Sequence, residues 1–292
     1  MSIPTQIRDF AAAGTMAGRA DDWLQGRRPE VVAARPAATV MILRDRHDAS
    51  GSGVDVFMLR RSSTMAFAPR MMVFPGGGVD PRDADPSLPW AGPSTAEWGR
   101  LLIADEDTAR ELVVAAVREV FEECGVLLAG PDVDSVVGDV SGPSWQAERQ
   151  ALLSRELSLT QMLIGRGLLL RSDLLRAQAH WITPEVEPKR YDTRFFAARL
   201  PAGQIADDHT SEADHADWTD PVGLLKAYAS GSALMLPPTV VCVEQVAGTT
   251  SVAQFLAAEV HMEPITPVLT RVDDSLVFRC TLPGGTAPLD SK

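Results

Sequence analysis

The stretch Arg118-Glu119-Val120-Phe121-Glu122-Glu123-Cys124-Gly125-Val126 decides how this chain is read. Residues three and four apart share one face of a helix, so Glu119, Glu122 and Glu123 converge while Val113, Ala116, Val117, Val120 and Cys124 form an apolar stripe beside them. The spacing predicts a helix with carboxylates on one side and the core on the other. Three clustered like charges repel one another and raise at least one pKa unless a cation or an arginine compensates them. Hard oxygen ligands of this kind suit Mg²⁺ or Mn²⁺. Arg118 stands one turn before Glu122 and can pair with it. Gly125 is placed to end the helix in a left-handed conformation, and Thr108 or Asp107 to cap its start.

At 292 residues the chain can bury a full core. An apolar fraction of 45% and a charged fraction of 23% are ordinary for a globular protein. The net charge of −12 argues against a nucleic-acid backbone as the main partner, because phosphate chains call for a basic surface. An anionic small molecule would have to be met by metal and a few local arginines. Cys124, Cys242 and Cys280 lack metal-type spacing and fit buried, reduced thiols. No stretch approaches 18 uninterrupted apolar residues, so no membrane span is expected. Arg8 and Asp9 precede only a short alanine-rich run, a poor signal-peptide core, and the expected compartment is the cytoplasm. No pattern in the chain speaks to its oligomeric state.

Residues 1–36 read as an N-terminal arm and 37–292 as one domain, with insertions near 81–107 and 144–180. Ala37 to Leu43 and Val54 to Leu59 are apolar runs separated by a polar stretch rich in turn formers, which predicts two antiparallel strands joined by a loop over 45–53. Met71 to Phe74 reads as a short strand. Leucines recurring from Leu152 to Leu170 predict one or two inserted helices. Tyr191 to Leu200 reads as a strand, Val222 to Ala229 as a short helix, Thr239 to Ala258 as helical, and Val268 to Leu282 as a hairpin. Strand-rich pieces with interspersed helices argue an α+β class, a mixed sheet flanked by helices.

Upstream lies Phe74-Pro75-Gly76-Gly77-Gly78-Val79-Asp80. With Arg118 to Val126 it resembles the two halves of the Nudix box, Gly-x5-Glu followed by seven residues and Arg-Glu-(apolar)-x-Glu-Glu-x-Gly-(apolar). The second half matches at every defined position. The first half is interrupted: Gly77 to Arg118 is 41 positions where the standard box has 14, an interruption of 27 residues. The position eight before Arg118, normally Glu, is Arg110, with Glu111 one step out of register; Glu111, Asp105 and Glu106 are the candidates to replace it. A solvated helix face would account for a chance Glu-Glu pair, whereas the nine-residue pattern downstream of a glycine turn points to a site.

The resemblance implies an α/β/α sandwich with inserted helices and metal-dependent hydrolysis of a nucleoside diphosphate linked to another moiety. It implies Glu119, Glu122, Glu123 and the carbonyl of Gly77 as metal ligands, with Arg118 orienting the glutamates. Many family members use a further Glu in a loop before a strand tryptophan, and Glu212 stands six residues before Trp218, with Asp214 the alternative and His215 close by. The stretch Leu59-Arg60-Arg61-Ser62 to Phe74 is similar to the one before the glycine turn in coenzyme A diphosphatases. Its arginine-serine pair is Arg61-Ser62, one residue closer to the leucine, and Arg70 replaces the usual glycine. The interrupted box, Trp181-Ile182-Thr183-Pro184 and Arg190 to Phe196 are similar to a Nudix branch that cleaves coenzyme A and its acyl esters. Arg60, Arg61 and Arg70, and beside them Lys189 and Arg190, are candidates to meet substrate phosphates. Trp90 and Trp98 could stack on adenine or anchor the insertion. ADP-ribose or a dinucleotide is the alternative substrate, and a non-catalytic Nudix-fold binding or regulatory module the alternative function.

Overall fold

The computed structural model describes residues 5–12, 17–27, 30–48, 51–62, 70–207 and 213–283. The chain runs β1 (Gln6–Ala11), α1 (Ala17–Leu24), β2 (Arg35–Asp48), β3 (Gly51–Arg61), β4 (Met72–Val73) and β5 (Gly76–Gly78), then a 3-10 turn at Pro81–Ala84. It continues through β6 (Trp90–Ala91), α2 (Thr95–Leu102), α3 (Glu106–Cys124), β7 (Ala129–Gly130), α4 (Pro143–Leu153), α5 (Leu159–Arg166), β8 (Leu169–Arg171) and β9 (Arg176–Ile182). β10 (Tyr191–Arg199), β11 (Ala213–Thr219), α6 (Pro221–Ala229), α7 (Pro237–Ala247), α8 (Val252–Ala257), β12 (Val268–Val272) and β13 (Ser275–Leu282) complete it.

β2 is the middle of a seven-stranded mixed sheet of order β11-β3-β2-β10-β9, with β4 on β3 and β5 on β2. β10 runs parallel to β2 and the other pairings are antiparallel. Successive side chains of a strand point to opposite faces, and both faces of β2 are buried. Ala38, Val40 and Ile42 pack in one cluster with Leu112, Val113, Val117 and Val120 of α3. Met41 and Leu43 pack in the other with Val240 and Val243 of α7 and Phe255 of α8. Helices thus cover the sheet on both faces, the expected α+β class in an α/β/α arrangement. Among the described residues no helix is long and apolar enough to cross a membrane.

Several local expectations change. The polar stretch over 45–53 is not a loop: β2 continues to Asp48 and β3 starts at Gly51, because the charges pair within the hairpin, Arg44 Nη2 and Arg46 Nη1 lying 3.1 and 2.9 Å from the Asp55 carboxylate. α3 is capped by Asp105 rather than Asp107 or Thr108; its extended backbone lets the carboxylate accept from the Thr108 N–H at 2.8 Å. The helical reading of 144–180 ends with α5, where Gly167 takes a φ of 65°. Leu169–Arg171 is β8, and Ala177, Ala179 and Trp181, alternating with Gln178 and His180, make β9 an edge strand on β10. The helical stretch after Thr239 divides into α7 and α8, the second capped by Ser251. The N-terminal arm contains β1, which pairs along its length with β13 while Arg8 grips Glu244 of α7.

The two insertions meet each other and the sheet. β6 of the first pairs in parallel with β8 of the second. Trp98 of α2 is buried edge-on against Phe196 of β10, ring centroids 5.8 Å apart, and Arg194 donates to the Leu102 carbonyl at the end of α2 at 3.0 Å. The fully buried Phe196 ring thus ties the first insertion to the sheet. Phe196→Ala should cost about 3–5 kcal/mol of stability, measured by denaturant unfolding, since little can collapse into the space.

Candidate functional site

The glycine turn reaches the acidic helix through β2. Ala37, Ala38 and Thr39 pair with Gly78, Gly77 and Gly76, and the Thr39 hydroxyl and the Val40 N–H both donate to the Pro75 carbonyl at 2.8 Å. The three glycines then lie directly on the carboxylate side of α3. The Gly76 N–H donates to Glu123 Oε2 at 2.7 Å. A Cβ on Gly77 would stand 2.5 Å from Glu119 Oε1 and 2.7 Å from Oε2, so a side chain there would push the Glu119 carboxylate from its place. The Gly78 carbonyl accepts from Arg118 Nη2 at 3.0 Å.

Arg118 is the hub. Its Nη1 donates to Glu119 Oε1 at 2.7 Å and to Glu122 Oε2 at 3.0 Å, while Nε and Nη2 fork onto Asp83 at 2.9 and 3.0 Å. Asp83 is the residue missed in the sequence. It lies in the 3-10 turn after β5, 1% exposed, and also accepts the Asp80 N–H at 2.8 Å. The signal was present: Asp83 is the sixth residue after Gly77, the Gly-x5-Glu spacing counted forward from the glycine instead of backward from the arginine. Neither Glu111, Asp105 nor Glu106 takes that place. Glu111 is half-buried, Asp105 caps α3, and Arg110 lies over the Trp90 ring.

All three glutamates are buried. Burial pushes the Glu119 carboxyl up to about 7; Arg118 works against that shift and the Glu122 charge adds to it. Burial raises Glu122 as well, again opposed by Arg118. Burial disfavours the Arg118 charge, but Asp83, Glu119 and Glu122 outweigh it and raise its pKa. The expectation of a carboxylate set converging on metal meets a different arrangement. Among the described residues no group of three or more His, Cys, Asp and Glu side chains is arranged to hold a metal ion. Arg118 neutralises Glu119 and Glu122, and Glu123 faces the Gly76 amide, because buried carboxylates turn to the nearest donor. The donor set still fits a hard divalent cation: three carboxylates and a glycine backbone that lies close against Glu119 and Glu123.

No protein-family model matches the chain. Its sequence is 28% identical over 194 residues to the putative nudix hydrolase 7 of Caenorhabditis elegans, covering 63% of this chain and 53% of that protein. It is 24% identical over 224 residues to the acyl-coenzyme A diphosphatase NUDT19 of Xenopus laevis, covering 64% and 58%. The chain therefore spans little more than half the length of the curated relatives it matches. Its fold is similar to that of a NUDIX hydrolase from Alicyclobacillus acidocaldarius, with a TM-score of 0.65 and 29% identity over 78% of this chain and 98% of that one. The chain is thus similar in sequence and in fold to Nudix hydrolases.

The other residues singled out in the sequence fall in different places around the acidic helix. Arg60 is exposed and Arg61 half-buried on β3, and Arg60 pairs with Met72 of β4, so both sit on the hairpin that leads into the glycine turn. Arg70 is exposed with a φ of 60°: an arginine stands where the family pattern has glycine, and the backbone keeps the left-handed conformation a glycine would supply. Glu212 lies outside the described residues. Asp214 and His215 are exposed on β11, and Trp218 packs edge-on against Phe57 under the Arg44 guanidinium. Arg190 is taken up by the Thr183 and Val32 carbonyls at 3.0 and 2.9 Å, and Lys189 lies over the Tyr191 ring. Trp98 is 1% exposed and Trp90 donates to the Pro93 carbonyl at 2.7 Å, so both anchor the insertion. The three cysteines are buried free thiols, and burial raises the pKa of each.

A Glu119 carboxyl raised from 4.5 to about 7 binds its proton more tightly in the folded chain than in the unfolded one. Its contribution to stability is present below about pH 4.5 and lost as pH rises through about 7. The melting temperature of the chelator-treated protein should fall across that window, and Glu119→Gln should flatten the fall. An equal slope in the variant would remove Glu119 as its source.

Proposed function

We propose that the chain is a metal-dependent Nudix pyrophosphohydrolase that cleaves coenzyme A or an acyl-coenzyme A at its diphosphate. The observation that carries this reading is the contact of Gly77 with the Glu119 carboxylate, joined by the Gly76 amide on Glu123. Two sequence elements 41 positions apart are thereby assembled into one box. Glu119, Glu122, Glu123 and the Gly77 carbonyl would hold Mg²⁺ or Mn²⁺. The ions would neutralise charge developing on the phosphoryl oxygens and lower the pKa of an attacking water.

Arg118 keeps Glu119 and Glu122 oriented, and Asp83 keeps Arg118 in place. Glu212 is the proposed base, or an added ligand. Arg60, Arg61 and Arg70, on the hairpin before the glycine turn, meet the remaining substrate phosphates. The likeness to acyl-coenzyme A diphosphatases supports the choice of substrate. The acidic balance of the chain supports a small anionic partner met by local arginines and metal rather than a nucleic acid.

Incubation with Mg²⁺ or Mn²⁺ and equal concentrations of coenzyme A, ADP-ribose and NADH, followed by chromatography, tests the substrate. Coenzyme A should give 3′,5′-ADP and a phosphopantetheine product, with dephospho-coenzyme A cut more slowly. Preference for ADP-ribose or NADH with coenzyme A untouched would overturn the substrate and keep the chemistry.

Glu122→Gln and Glu123→Gln preserve size and helix propensity but remove a charge from the site. Each should lower turnover by at least about 100-fold with the fold intact by circular dichroism. Wild-type rates in both variants would overturn the hydrolase reading itself.

A further inference from the structure

We infer that Arg149, on α4 of the second insertion, is a positioning residue for the acidic end of α3; this rests on the hydrolase reading above. Its side chain is fully buried, 0% exposed, at the point where the Nudix helix stops. Nε donates to the Glu122 carbonyl at 2.9 Å, and Nη1 lies 2.8 and 2.9 Å from the two carboxylate oxygens of Asp207. The Asp207 N–H in turn donates to the Cys124 carbonyl at 3.0 Å. The last carbonyls of a helix have no partner within it. Here much of the cap comes from outside: Arg149 takes the Glu122 carbonyl and Asp207 takes that of Cys124, while Gly125 closes Phe121 locally. Gln204 holds the next residues, accepting the Leu127 N–H at 2.8 Å and donating to the Leu127 carbonyl at 2.9 Å.

Gly125 of the box fits this arrangement in two ways. Its φ of 67° favours glycine, and a Cβ there would stand 2.8 Å from Asp207 Oδ2 and 3.1 Å from Arg149 Nη1. The ion pair occupies the space that a side chain would need. Stability alone is a poor account of it, because the Arg149 guanidinium is fully buried while Asp207 is only partly so, and a desolvated charge is often bettered by an apolar residue of similar volume. Arg149 Nη2 is in addition buried without a hydrogen-bond partner. What the pair supplies is a fixed direction for the turn that carries Glu122 and Glu123.

Arg149→Met keeps the length of the side chain and removes the charge. Turnover of coenzyme A should fall about 100-fold at nearly unchanged KM, as expected when reacting groups shift by about an ångström. Mn²⁺ binding, read by calorimetry without substrate, should weaken by about 10-fold. Arg149→Met combined with Asp207→Leu also removes the partly buried carboxylate that faces Arg149. It should regain the melting temperature that Arg149→Met loses, but neither the turnover nor the Mn²⁺ affinity. If the single variant fails to fold, Arg149→Lys, which can reach only one of the two partners, should show the same losses to a smaller degree. Wild-type Mn²⁺ affinity in whichever single variant folds, or full recovery of turnover in the double variant, would overturn the assignment. A wild-type protein that hydrolyses no diphosphate, with Mn²⁺ binding still weakened by Arg149→Met, would overturn the hydrolase reading and leave the positioning role standing.

Discussion

A buried guanidinium is costly unless every side of it is answered, and Arg118 is answered by Asp83, the Gly78 carbonyl, Glu119 and Glu122. That one requirement draws together the glycine turn, the 3-10 turn behind it and the helix. It also explains how the box survives a long interruption. Closing a loop costs free energy that grows only with the logarithm of its length, so stretching the separation from 14 to 41 positions adds about 1 kcal/mol. The ion-pair fork and the β2–β5 pairing offset a cost of that size.

The interruption does not hang loose. β6 pairs with β8, Trp98 is sunk against Phe196, and Arg194 holds the carbonyl end of α2. These contacts lie on the face of the sheet that carries α3, so the insertion extends the same hydrophobic cluster instead of forming one of its own. The second insertion behaves likewise through Arg149. Each therefore supports one end of the acidic helix, α2 leading into its start and α4 closing its finish. The opposite face, with α7, α8 and the β12–β13 hairpin, takes no part in the carboxylate cluster and closes the other half of the core.

What could be read in advance was what depends on local periodicity. Residues three and four apart placed Glu119, Glu122 and Glu123 beside one another whatever the tertiary fold. Apolar runs between turn formers made β2 and β3 visible as strands, Tyr191 to Leu200 read as β10, and Gly125 marked the end of α3. The leucines over 152–170 marked the two inserted helices α4 and α5 but not where they stop: Leu169 and Leu170 lie on β8, decided by partners far along the chain. Thr108 and Asp107 suit a helix start by residue type, and only the extended backbone at Asp105 moved the cap to that residue.

Spacing within a few residues was enough to give the acidic helix, its three neighbouring carboxylates, the glycine turn and the mixed α+β class. Only the tertiary structure decided that Asp83 is the partner of Arg118, that Arg190 and Trp98 are spent on anchoring, that β1 closes on β13, and that Arg149 caps the helix from 27 residues beyond Glu122. Those are pairings of buried charges, rings and backbone edges across long separations. Their choice depends on which surfaces the packed sheet and helices bring within hydrogen-bonding distance, and no local pattern carries that information.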